Sequence, residues 1–156
     1  MRKSRLLVLL LAVLVLVLGA CTAGQDTGET GGEGDQPYVA IVSKGFQHQF
    51  WQAVNLGAEQ AAEEFGVRIT FEGPESESQV DRQVEMVQTA LDRDPDALCL
   101  AALDTQALAS HLERAQEEGI PVIGFDSGVD SDIPVTTAAT DNIAAAGAAA
   151  DRMAEE

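Results

Sequence analysis

From Tyr38 onward the chain alternates between two hydrophobic patterns. Continuous apolar runs of strand length recur as "YVAIVS", "VRITFEG", "DALCLAAL" and "GIPVIGFD", with a weaker one in "IPVTTAATDN". Between them lie segments with helical spacing. Phe50 to Phe65 places Val54, Ala58, Ala61 and Phe65 on one face, with Gly66 positioned as a C-cap. Ser78 to Arg93 carries the stripe Val80, Val84, Val87 and Leu91, and Thr105 to Glu118 carries Leu108, Leu112 and Ala115 before a helix-ending Gly119. "NIAAAGAAADRMAEE" begins a last helix. The predicted order is β-α-β-α-β-α-β-β-α. Strands that are apolar throughout, separated by helices, predict an α/β fold: a parallel sheet covered on both faces. Right-handed crossovers make it a doubly wound, three-layer α-β-α sheet.

Such sheets bind ligands outside the carboxyl ends of their strands. The loops there are "SKGFQHQFW", "EGPESES", "AALDTQ", "FDSGVDSD" and "ATDN". The first is unusual. Within "KGFQHQFWQ" stand Phe46, Phe50 and Trp51, three of the seven aromatics, together with His48, one of two histidines.

The amino terminus is organised differently. "MRKSR" is a basic n-region, and "LLVLLLAVLVLVL" is an apolar run shorter than the roughly 20 residues a bilayer span needs. "LGAC" follows and resembles the bacterial lipobox. The resemblance implies that residues 1–20 are a lipoprotein signal peptide, cleaved before Cys21, whose thiol takes lipid. Residues 21–37 are rich in Gly, Thr and acids and read as a flexible tether. Residues 38–156 form the domain. Cleavage removes Arg2, Lys3 and Arg5 and leaves six basic against 26 acidic side chains, a formal charge of −20 with Lys44 as the remaining lysine. A surface of that sign repels nucleic acid and anionic lipid. With Cys21 lipidated, Cys99 has no disulfide partner and reads as a small buried hydrophobe.

Several chemistries find no motif. HExxH and CxxC spacings are absent, and His111 sits at the border of an apolar stripe, so no metal or other cofactor is expected. GxGxxG after a strand, GxxxxGK[ST] and GxSxG are absent as well. Asp104 and Asp126 end strands three and four and could form an acid/base pair, but carboxylates at strand ends also cap helices. A binding site explains more. A sugar offers an apolar C–H face to an aromatic plate and a rim of hydroxyls to carboxylates and imidazole. Phe50, Trp51, His48 and Asp126 supply both. On residue types alone, Phe50 and Trp51 serve equally well as a first helical turn packing on the sheet.

Taken in order, "NLGAEQAAEEFG" after Phe50-Trp51, "QVEMVQTALDRDPDALCLAALD", "AQEEGIPVIGFDSGVDSD" and "ATDN" resemble the amino-terminal lobe of type I periplasmic sugar-binding proteins, in the ribose-binding-like branch that serves ABC importers. The resemblance covers Tyr38 to Glu156. It implies that Phe50 and Trp51 are stacking aromatics and that Asp126 grips sugar hydroxyls. His48 stands where a ligand-bonding Asn is usual, Ser127 where ribose binders carry Arg, and Ala101 where they tend to have Asn. Asp104 and Asn142 complete the implied ligand-binding set. These departures point away from ribose towards another pentose, a hexose, a polyol or a furanone-type signal.

The family has a second lobe, whereas this chain stops at "DRMAEE" within a helix that has no stop signal. The expectation is a fragment or truncated reading frame, with a one-lobed relative as the other reading. The implied function is an exported, lipid-anchored solute-binding protein, at the outer face of the cytoplasmic membrane or in the periplasm. It would deliver a sugar-like ligand to an ABC permease by hinge closure and perform no chemistry on it. A binding module feeding a chemoreceptor or histidine kinase is the alternative, with an extracytoplasmic enzyme third. Sugar-responsive repressors begin with a helix-turn-helix, not an export signal.

Overall fold

The computed structural model describes residues 36–155. The signal segment, the lipidation site Cys21 and residues 22–35 of the tether lie outside the described residues. The elements are β1 (Tyr38–Val42), α1 (Gln49–Phe65), β2 (Arg68–Glu72), α2 (Val80–Leu91), β3 (Ala97–Leu100), α3 (Ala109–Glu117), β4 (Val122–Phe125), β5 (Thr136–Ala138) and α4 (Asn142–Glu155). This is the order the hydrophobic pattern predicts. Gly66 ends α1 with φ 65°, in the left-handed region where a side chain is disfavoured. α3 begins at Ala109, not Thr105. Asp104 holds the intervening residues in a turn by accepting from the Gln106 and Ala107 amides.

All five strands are parallel, in the order β2-β1-β3-β4-β5. The chain leaves β1 towards β2 and then crosses back to β3. Successive crossovers therefore diverge from β1, and a crevice opens at its carboxyl end. Alternate residues face opposite ways along each strand. Tyr38, Ala40 and Val42 of β1, Leu98 and Leu100 of β3 and Val122 of β4 meet Val87, Ala90 and Leu91 of α2 and Leu112 and Ala115 of α3. Each fully buried Leu or Val here contributes about 1.5–3 kcal/mol, so this layer carries the stability of the lobe.

The opposite face is less covered than the sequence suggests. α1 stands against β2 there, and Trp51 is its one buried residue. Ile41, Val54, Ala58, Cys99, Ile123 and Phe125 line a shallow apolar groove of about 250 Å³. Cys99 is half-buried on this groove, not in the core, because odd-numbered positions of β3 point away from α2 and α3. Burial there raises its thiol pKa. α4 buries no side chain among the described residues.

Candidate ligand-binding site

The loop after β1 is built on Ser43. Its amide donates to the Glu72 carbonyl at 2.8 Å and its hydroxyl to the Gly45 carbonyl at 2.5 Å, all shielded from solvent. These bonds turn the chain back over the end of β2. Gly73 lies so close beneath that a Cβ there would meet the Gly45 oxygen at 2.6 Å. His48 then caps α1, its Nδ1 accepting from the Phe50 amide at 3.2 Å.

The first turn of α1 sets two aromatic rings at right angles, with centroids 4.8 Å apart. They have opposite environments. Trp51 is 1% exposed, and its indole N–H donates to Glu77 at 2.9 Å. Phe50 is 47% exposed. Trp51 also meets Phe125 edge-on at 6.3 Å. Above its ring, 5.8 Å from the centroid, lies the ammonium of Lys44, which reaches Asp126 at 2.7 Å. Asp126 takes a left-handed backbone, φ 59°, and its amide donates to Ala138 of β5 at 2.9 Å. Non-glycine residues visit that region at a cost of about 1–2 kcal/mol, and Asp is among those that tolerate it.

Phe50 and Asp126 both line a cavity of about 430 Å³, completed by Val54, Phe125 and residues 138–140. The cavity thus combines an exposed apolar ring with a carboxylate whose charge is balanced by Lys44. That combination suits an uncharged ligand with one apolar face and donors along its edge.

Of the residues singled out from sequence, Phe50 and Asp126 line this cavity, and Trp51 lies directly behind Phe50. His48 spends Nδ1 on the helix cap. Asp104 is exposed and accepts two backbone amides, at 2.9 and 2.8 Å, which hold its carboxyl below the usual range. The Ser127 hydroxyl donates to the Ala102 carbonyl at 2.9 Å. Asn142 opens α4 and is not among the residues lining the cavity.

Three residues escaped the sequence reading. Lys44 stands in the loop already singled out, but nothing in the sequence shows that it reaches Asp126. Glu77 lies in the loop after β2. Gln83 is hidden by its polarity: it occupies a helical position on the buried side of α2 and is 1% exposed. Its amide nitrogen donates to the Ser43 and Ala101 carbonyls, both at 2.9 Å, and its oxygen accepts from the Leu103 amide at 2.8 Å. The Ser43 and Ala101 carbonyls are buried, and each, left unpaired, would cost about 1–3 kcal/mol. The signal in the sequence was a glutamine amid Val80, Val84 and Val87.

A doubly wound parallel sheet with an aromatic ring and a carboxylate at its strand ends is an α/β lobe whose strand-end crevice is where ligands sit in folds of this class. The family model of the periplasmic binding protein domain matches residues 39–156, and the chain belongs to that family. The D-ribose/D-allose-binding protein of Pseudomonas aeruginosa is 27% identical over 121 residues, covering 76% of this chain and 38% of that protein. A solved structure from Brachyspira murdochii, described as an ABC transporter, LacI family transcriptional regulator, is 44% identical with a TM-score of 0.73, covering 78% of this chain and 39% of that one. An ABC transporter solute-binding protein from Agrobacterium vitis with bound D-fucose is 38% identical with a TM-score of 0.71, covering 76% and 42%. The chain therefore spans about two-fifths of the length of these relatives.

Proposed function

We propose that this chain is the ligand-gripping lobe of an extracytoplasmic solute-binding protein that delivers a sugar or sugar-like ligand to an ABC permease. The observation that carries the reading is that Phe50 and Asp126 line one strand-end cavity. Phe50 offers a half-exposed ring to the C–H face of a pyranose or furanose, and Asp126 accepts from its hydroxyls. The relatives described as binding ribose, allose and fucose support the same ligand class. The role is binding without turnover: Asp126 is engaged by Lys44 and Asp104 by backbone amides, so the two carboxylates do not form an acid/base couple. Export through residues 1–20, lipid on Cys21 and a tether over residues 21–37 would hold the lobe at the membrane surface, where a permease waits.

Thermal unfolding of the full chain in the presence of D-ribose, D-allose, D-fucose and a polyol panel tests this reading. A saturable rise of the midpoint with at least one neutral sugar is expected, since a ligand at 100 times its Kd adds about 2.7 kcal/mol. No shift with any of them at tens of millimolar would sink it. Globomycin-sensitive processing and labelling by a palmitate analogue, both lost in Cys21→Ala, test the anchor.

A further inference from the structure

We propose that Gln83 is a positioning residue for the cavity, setting Asp126 through a hydrogen-bonded brace beneath the strand ends. The inference takes the cavity as the ligand site, on the reading above, and adds the device that shapes it.

The brace runs through four elements. Gln83 sits in the first turn of α2, at the rim where the carboxyl ends of the strands gather. Its side chain ties together Ser43 at the end of β1 and Ala101 and Leu103 beyond β3. Ala102, held between those two anchors, accepts from the Ser127 hydroxyl. Ser127 follows Asp126 directly. The same Ser43 fixes the loop that carries Lys44, which pairs with the Asp126 carboxylate. The two routes from Gln83 therefore converge on one residue, at the Asp126 backbone through Ser127 and at its carboxylate through Lys44.

The chemistry of glutamine is what makes this work. One planar amide supplies two donors to two carbonyls and an acceptor to one amide. Neither an apolar side chain nor a carboxylate can do so, since a carboxylate would face two carbonyl oxygens. Asp126 holds a left-handed backbone at a modest cost, with its amide tied to Ala138, so a further tie through the neighbouring Ser127 narrows where its carboxylate can sit. Gln83 does not touch the cavity, so its effect on a ligand is indirect.

Amide hydrogen exchange on the full chain tests the brace without a ligand. Gln83→Met keeps the volume and removes the bonds. Val87→Ala, one turn further along α2, weakens the packing of the same helix on the sheet but leaves every hydrogen bond of the Gln83 side chain in place. The expected result is that Gln83→Met speeds exchange of the Asp126 amide, which Gln83 does not contact, at least tenfold. Val87→Ala should leave that amide within about twofold, once exchange by global unfolding is subtracted. Ser127→Ala should reproduce the effect on Asp126, and does so independently if Gln83→Met does not fold. Combining the two should add little to either alone. Exchange that rises evenly through β1 and β3, or an Asp126 amide unmoved in Ser127→Ala, overturns the proposal and leaves Gln83 a purely structural residue. Titration with D-fucose adds a second arm, with at least a tenfold loss of affinity expected in Gln83→Met and none in Val87→Ala. Wild-type protein that binds neither D-fucose nor other sugars argues against the function proposed above, while the exchange result still decides the brace.

Discussion

The ammonium of Lys44 lies 2.7 Å from the carboxylate of Asp126, joining the loop after β1 to the end of β4. Their side chains are 21% and 30% exposed, so the pair is partly screened and worth about 0–1 kcal/mol to stability. Its larger effect is on the site, where it balances the one carboxylate lining the cavity. Lys44→Met should shift the unfolding midpoint by no more than a few degrees. It should lower affinity for a neutral sugar about tenfold and improve relative binding of the corresponding amino sugar, which isothermal titration would show. Unchanged selectivity would mean that the ion pair is only a surface contact.

Phe50 and Trp51 are neighbours with different expected losses. Phe50→Ala removes a half-exposed ring and should cost less than about 1.5 kcal/mol of stability while reducing sugar affinity at least tenfold. Trp51→Phe removes a buried indole and its bond to Glu77, and should cost about 1–3 kcal/mol in chemical denaturation. If Trp51→Phe instead leaves stability intact and abolishes binding, the indole is a direct ligand contact and the assignment of the plate to Phe50 fails.

Gly73 tests how tightly the loops after β1 and β2 are fitted. A methyl group there collides with backbone at Gly45 and with the Ser43 hydroxyl. Gly73→Ala should destabilise by about 1–3 kcal/mol and alter Trp51 emission, because the displaced loop carries Lys44 and leads into α1. A neutral substitution with unchanged emission would show that the loop yields freely.

His111 gives the pH dependence a sign. Burial, and then the nearby Arg114, lower its pKa from the ordinary 6.5. The folded state thus binds this proton less readily than the unfolded state, and the contribution to stability is full above about pH 6.5. It is lost as pH falls through the lower folded value. The unfolding midpoint should therefore rise between pH 5 and pH 7.5, and His111→Gln should flatten part of that rise. An identical slope in the variant would assign the dependence elsewhere.

The hydrophobic pattern carried the fold because strands and helices here have unmixed periods. Val80, Val84, Val87 and Leu91 mark α2 unambiguously, and Tyr38 to Val42 is apolar throughout. The site was legible only in outline. Phe50 and Asp126 could be placed at strand ends, since position in a parallel sheet follows from element order. The roles of His48, Asp104 and Ser127 could not, because each of these side chains serves equally well as a ligand contact or as a partner for local backbone, and only the loop conformation decides. Gln83 left only a faint mark, its helical spacing from Val80 and Val87, for the converse reason. Polar residues on helices are usually solvated, and the spacing alone does not reveal that three backbone groups meet at this one.

The parallel arrangement of the sheet has an evolutionary consequence. Every strand ends at the same rim, while the apolar layer of Leu98, Leu100, Val87 and Leu112 lies below it. The loops can therefore diverge in sequence without disturbing that layer, provided the ties at Ser43, Ala101 and Leu103 persist. Substitutions at a few rim positions can therefore reshape the strand-end cavity while the layer beneath is inherited unchanged.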